Sequence, residues 1–361
     1  MILRMTSIRA GRTRADSGTG IERGAPGLLF LMLALAVCGR APGAAGPENM
    51  RETGEYRIGE RLAEGPVSAP DRPVDLFYPT DILVVGDSIW VVDNGNDRVV
   101  VFDRRFAYLG ELGREGEGPG EFRSPTAIRR SAAGVVVVDM GNSRFTEFDG
   151  SGAVVSTLAS PAGLRQFGLS EAGSIYVPSK TRTRHYVRIR GDSAEEFGVW
   201  PHPVPPGERA APLPEPQAVE VTAGDTVHVF DEKKGVLYKY TPEGELVLRR
   251  RLPQTLIDSV FAERERIVSS LTKSGYRVLD SPVSRDFAVT SAGDLLLIIS
   301  AGTTVGLVID PGTYEARRLL APPVERGSSG PLRTGAVALV DSVLYLITSE
   351  ELRAYRVESS R

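Results

Sequence analysis

Three observations predict an all-β fold, a six-bladed β-propeller of four-stranded antiparallel blades. The first is an internal repeat. Pro79-Thr80-Asp81-Ile82 recurs as Pro125-Thr126-Ala127-Ile128, and Ile89 to Asp103 recurs as Val135 to Asp149, so that Pro, Asp, Asn, Arg, Phe and Asp return at one spacing of 46. The second is the texture of each unit, in which short β-rich runs alternate with Gly/Asn/Asp turns, as in a blade of four strands. The third lies at the chain ends. The sixth unit stops after its third strand, Leu352 to Val357, while an orphan strand, Tyr56 to Leu62, precedes the first unit. An unpaired edge templates aggregation, so this N-terminal strand is expected to become the outer strand of the last blade.

The blades follow in order. Residues 79–103 begin the first and 125–149 the second. The third holds Gly173 to Val177 with Tyr186 to Ile189, and the fourth Thr226 to Asp231 with Val236 to Tyr240. Asp294 to Ile299 with Thr304 to Ile309 make the fifth, and Ser342 to Ile347 with Leu352 to Val357 the sixth. The propeller is expected to span 52–361.

Composition agrees. The chain has 361 residues, 41% hydrophobic and 25% charged, with 39 Gly and 25 Pro, which excludes disorder and fibrous classes. Lys+Arg 43 against Asp+Glu 46 leaves a net charge of -3 and no basic surplus for a phosphate backbone. Nucleic acid is therefore excluded as the expected partner.

Residues 1–46 read as an export signal and short linker. Five arginines, Arg4 to Arg23, precede the apolar run Gly27 to Val37, which is too short to span a membrane, and small residues follow at Ala41, Gly43, Ala44 and Ala45. Cys38, the only cysteine, ends this run. Leu35-Ala36-Val37-Cys38 resembles a bacterial lipobox, although Val37 stands where a small residue is usual. Cys38 is thus either lipidated or discarded with the signal. In both cases the destination is the periplasm, outer envelope or exterior, and the folded part has no disulfide, thiol nucleophile or zinc-thiolate site.

Gly113-Arg114-Glu115-Gly116-Glu117-Gly118-Pro119-Gly120-Glu121-Phe122, followed by Pro125, Ile128, Val138-Asp139 and Asn142-Ser143-Arg144, resembles the NHL-repeat propellers, in particular bacterial exported six-bladed ones. The likeness is specific in the second unit, good in the first and decayed beyond. Some propellers of that kind are lyases or hydrolases with a central zinc or calcium, so the resemblance implies either an enzyme of that type or a binding module.

The long connections, Glu64 to Tyr78, Gly113 to Pro125, Trp200 to Pro216, Gln254 to Pro282 and Ala321 to Thr334, all join one blade to the next. The opposite turns, such as Val85-Gly86-Asp87, are minimal. Inter-blade connections and the turns between second and third strands share a face, and long loops on a rigid scaffold are usually functional. The expected ligand-binding face therefore carries Asp93, Asn96, Arg98, Asp139, Asn142 and Arg144 from the repeated Asp-x-x-Asn-x-Arg, Glu121 and Arg123 from the Gly-rich connection, and His185 and His202. The repeated acids and amides also suit a turn-capping role, in which Arg98 and Arg144 either partner those carboxylates or line the central opening.

Other signals are weaker. Gly116, Gly118 and Gly120 stand among acids, with no lysine and no βαβ unit, so a phosphate loop is not expected. Leu256 to Leu271 carries one apolar stripe, fitting either a lid or a surface helix packed on blades four and five. His228 sits mid-strand and reads as structural. No Gly-x-Ser-x-Gly or His-Glu-x-x-His occurs. No cofactor is expected, with calcium on Asp93, Asn96, Asp139 and Asn142 left open because carboxylate and amide oxygens suit it. The expectation is a monomeric, non-catalytic exported binding protein for a protein, peptide or glycan, touching a membrane only through a lipid anchor. The alternative is a calcium- or zinc-dependent hydrolase or lyase with its site in the central channel.

Overall fold

The computed structural model describes residues 47–65, 68–69, 72–180, 184–199, 217–232, 234–273, 284–301, 304–321, 336–347 and 352–360. Cys38 and the export segment, the loop holding His202, and the connection after Ala321 lie outside the described residues.

Six antiparallel blades form the propeller. Blade one runs Pro79–Val85, Ser88–Asp93, Arg98–Asp103 and Tyr108–Leu112, and blade two Pro125–Arg130, Gly134–Asp139, Arg144–Asp149 and Val154–Ala159. Blade three opens with the short strand Gly168–Leu169, blade four with Gln217–Thr222, blade five with Ser284–Val289 and blade six with Ala336–Val340. These first strands are innermost. Each touches the next around the ring, and Ala336–Val340 returns to Pro79–Val85.

Side chains on a strand alternate between faces, and here both faces of every blade are covered by a neighbour. Val135 and Val137 pack towards Val92 and Val99 of blade one, while Val136 and Val138 pack towards Ile175 and Val177 of blade three. One such hydrophobic cluster fills each of the six blade interfaces. Two-sided burial explains why the second strands read as unbroken apolar runs rather than alternating ones.

The N-terminal strand Glu52–Gly65 closes the ring. It pairs antiparallel with Leu352–Ser360, from Glu55 opposite Ser360 to Gly65 opposite Leu352, and so completes blade six as its outer strand. It does more than the sequence suggests. Its first half also pairs in parallel with Ala316–Leu320, the outer strand of blade five, fusing the two blades into one sheet. Just upstream, Glu48–Asn49 adds in parallel to the outer strand of blade four, Leu246–Arg251. The connection after blade four forms the helix Gln254–Lys273. Leu256, Ile257 and Val260 pack among Phe230, Leu237 and Phe287, so its first turns serve the interface of blades four and five.

Candidate functional site

The repeated Asp-x-x-Asn-x-Arg builds a knot at the turn between second and third strands. In blade two the buried Asp139 accepts hydrogen bonds from the Arg123 N–H (2.9 Å), from Asn142 Nδ2 (2.7 Å) and from Arg144 Nε (3.2 Å). The rest of the Arg144 guanidinium donates to the carbonyls of Glu117, Gly118 and Glu121, and Asn142 donates to that of Gly116. Blade one repeats the pattern. Asp93 accepts from the Phe77 N–H, Asn96 and Arg98, and Arg98 donates onward to the Asp75 carbonyl and to Glu111. Each arginine thus ties its own turn to the connection entering its blade. The residues offered for calcium are split between two separate turns, where the carboxylates already accept from their own chain and the amides donate through Nδ2.

A shared glycine completes the knot. Gly95 N–H donates to the Phe77 carbonyl and Gly141 N–H to that of Arg123, both at 2.7 Å. A Cβ at Gly141 would stand 2.5 Å from the Arg123 oxygen, so only glycine fits. The residue before the proline of each first strand takes a left-handed backbone, Tyr78 with φ 50° and Ser124 with φ 54°. In blade one this leaves Phe77 and Tyr78 exposed as an edge-to-face pair, centroids 4.6 Å apart.

The Gly-rich connection cradles its own acid rather than a phosphate. Glu121 accepts from the Gly118 N–H (2.8 Å) and from Arg114, and a Cβ at Gly116 or Gly118 would run into that carboxylate. The backbone N–H first and then Arg114 hold its pKa below the usual carboxylate value. Arg123 stays half exposed and pairs with Glu117 at 2.7 Å.

Beside the blade-one knot lies a groove of about 540 Å³, within the range of small-ligand sites, about 300–1,000 Å³. Val74 and Asp75 form one wall, Asn96 and Arg98 the knot side, Tyr108 and Glu111 the outer strand, and Gly113 to Glu115 the rim.

His185 does not join this face. Expected on the ligand-binding face, it lies in the strand Arg184–Arg190, fully buried, with Nδ1 hydrogen-bonded to the Tyr240 hydroxyl of blade four. His228 is buried likewise, between Thr222 (2.9 Å) and Tyr314 of blade five (2.7 Å).

The central axis holds a charged hub. Asp81 of blade one accepts from the Ile128 N–H (2.9 Å) and from Arg129 of blade two (2.7 Å). The same guanidinium reaches Glu220 of blade four and stacks over Phe167, 5.6 Å from the ring centroid. Asp286 of blade five accepts from Gln166, beside the first strand of blade three, and from the Val337 N–H of blade six. Every blade therefore contributes to the hub. Burial pushes the Glu220 carboxyl up to about 7 against the pull of Arg129, and pushes Asp286 up as well, with Asp81 adding repulsion. One cation shared among three acids is itself held firmly protonated, although burial opposes its charge. Arg129 bridges Asp81 and Glu220. Among the described residues, no three His, Cys, Asp or Glu side chains are grouped to hold a metal ion.

The sequence missed this hub and half the groove. The available signal was a charge inside an otherwise apolar first strand, as in Ala218-Val219-Glu220-Val221, since a first strand faces the axis on its way between neighbours.

Residues 74–185 match a protein family described as a 6-bladed beta-propeller. The fold is a six-bladed β-propeller. No curated protein matches the chain significantly. Among solved structures, the propeller is similar to a Bacteroides fragilis protein named for its expected export, with TM-score 0.50, 11% identity, and 87% of this chain and 99% of that one covered. It is similar to a Bacteroides thetaiotaomicron protein of unknown function, at TM-score 0.51 and 10% identity over 82% and 76% of the two chains. It is also similar to a gluconolactonase of Xanthomonas campestris, at TM-score 0.50 and 12% identity over 87% and 99%. Likeness at this identity speaks to the fold alone, because one scaffold hosts many activities. No helix among the described residues is long and apolar enough to cross a membrane.

Proposed function

We propose that this chain is an exported, non-catalytic binding protein that recognises a protein, peptide or glycan on the loop-rich face of its propeller. The blade-one groove is the observation that carries the reading. It is concave and polar, and its knot-side wall is pinned by Arg98, which bonds Asp93, Glu111 and the Asp75 carbonyl. Preorganised walls lower the ordering cost of binding. The exposed Phe77–Tyr78 pair beside the same knot supplies the aromatic surface typical of interface anchors. The basic N-terminal stretch, the apolar run to Val37 and Cys38 support export, with a lipid anchor when Cys38 is retained.

The test is a peptide and glycan array probed with the full chain and with Glu115→Arg, which places a long cation at the groove rim. Ligands bound by the first and lost by the second, at equal melting temperature, support the reading. An array without ligands overturns it. A stoichiometric calcium or zinc whose chelation lowers the melting temperature would instead favour the hydrolase or lyase reading.

A further inference from the structure

Resting on that reading, we infer that the blade-one groove recognises a cationic group, the ammonium or guanidinium of a basic peptide. The argument is one of charge already spent. Both arginines at the groove are committed elsewhere. Arg98 donates through Nε to Asp93, through Nη1 to Glu111 at 2.9 Å and through Nη2 to the Asp75 carbonyl. Arg114, exposed at the rim, gives Nε and Nη2 to Glu121, with Nη2 at 2.8 Å. Two carboxylates remain, Asp75 and Glu115. Both are exposed, and neither makes an ion pair with any described residue. The groove therefore presents unbalanced negative charge although cations line it.

The far end adds an independent element. Tyr108 lines the groove and is held edge-to-face against the buried Phe102, centroids 6.4 Å apart. A fixed aromatic wall beside carboxylates is the chemistry that holds an alkylammonium or guanidinium, by ring quadrupole and by charge. An anionic ligand would meet Asp75 and Glu115, and the guanidinium groups lining the groove are already paired to carboxylates. A neutral glycan would stack on Tyr108 while gaining nothing from the acids. Rim charges of this kind also steer encounter, so affinity falls with added salt.

Titration calorimetry with four capped probes, tri-lysine, tri-glutamate, tri-alanine and a neutral trisaccharide, tests this on the full chain. Two variants accompany it: Asp75→Asn with Glu115→Gln, and Tyr108→Leu. Saturable tri-lysine binding, weakened at least about tenfold in the acid-removed variant and also in Tyr108→Leu, is the expected result. Both acids are exposed, so the double variant should keep its melting temperature. Tri-lysine bound equally by the double variant overturns the inference. Binding of only tri-glutamate or the trisaccharide overturns it too, yet leaves the binding-protein reading standing. Binding of no probe counts against both.

Discussion

Arg129, on the first strand of blade two, donates to Glu220, on the first strand of blade four, at 2.5 Å, and so reaches past the whole of blade three. Inter-blade packing joins only neighbours, whereas this pair and Arg129–Asp81 join three blades at the centre. The hub is thus a cross-brace added to a ring of nearest-neighbour contacts. Its cost is three buried acids with a single cation among them.

Removing that cation should be severe. Arg129→Met keeps the apolar stem but leaves Asp81 and Glu220 buried without their cation, a loss of about 3–5 kcal/mol on the scale of broken buried ion pairs. Denaturant unfolding at pH 7.5 measures it. Because protonation neutralises the orphaned acids, part of the loss should return at pH 5. A variant equally destabilised at both values would show that charge is not the cause.

Glu220 should make stability fall as pH rises. Its folded carboxyl titrates at about 7, above the unfolded value of about 4.3, so the folded state binds the extra proton in between. That contribution is full below about pH 4 and is lost as pH rises through about 7. Glu220→Gln cannot ionise, so it should gain on the wild type between pH 5 and 8. A constant difference over that range would contradict the raised carboxyl.

His228 should act in the opposite direction. Burial, with Lys239 adding repulsion, lowers its folded pKa to about 3, while the unfolded chain takes a proton near about 6.5. Stability is therefore lost as pH falls from about 6.5 towards 3. His228→Gln can keep hydrogen bonds to Thr222 and Tyr314 without that titration. Its acid-unfolding midpoint should move to lower pH, and an unmoved midpoint would remove His228 from the acid response.

How much of this was legible in the sequence follows from what repeats. The blades and the knots show as a period because Asp93 and Asp139, or Gly95 and Gly141, meet the same turn twice. The closing strand was legible from a missing partner, since blade six ended one strand short. The hub was not, because its residues change from blade to blade: Asp81 stands where the second blade has Ala127, Glu220 has no counterpart in the repeat, and Asp286, which takes the place of Asp81 and accepts from the next blade's first strand in the same way, lies in a unit whose sequence no longer shows the repeat. The fused sheet of blades five and six was equally hidden, because a strand's second edge leaves no mark on its side-chain pattern.

The knots yield a prediction that separates support from recognition. Arg98 and Arg144 spend their guanidinium donors on Asp93, Asp139, Glu111 and four carbonyls. The double change Arg98→Ala with Arg144→Ala should cost about 3 kcal/mol, since hydrogen bonds to charged groups are worth about 1.5–3 kcal/mol each and water replaces only some of them. Calorimetry should show a melting temperature lower by several degrees. An unaltered melting temperature with ligand binding lost would give these arginines a direct role in recognition.

Deleting residues 53–64 tests closure. The deletion strips the outer strand from Leu352–Ser360 and, because Gly54 to Arg57 also pair with Arg317 to Leu320, uncovers blade five together with blade six. It removes Ile58 from the core between these blades and Tyr56, whose hydroxyl accepts from Arg317 at 2.6 Å. Two adjacent edges then present unpaired N–H and C=O groups, the condition under which strands recruit other chains. The truncated chain is expected to elute as soluble aggregate or precipitate, and a peptide of residues 50–65 added during refolding should restore monomer in proportion to its concentration. If the deletion instead elutes as a monomer with one cooperative melting transition, the strand does not close the ring. Deleting 47–50 separates the two duties of the segment. It takes away Glu48–Asn49 from the edge of blade four, together with Met50, which is buried in the core of blades four and five and donates its N–H to the Arg251 carbonyl at 2.7 Å, so a drop in melting temperature without aggregation should follow.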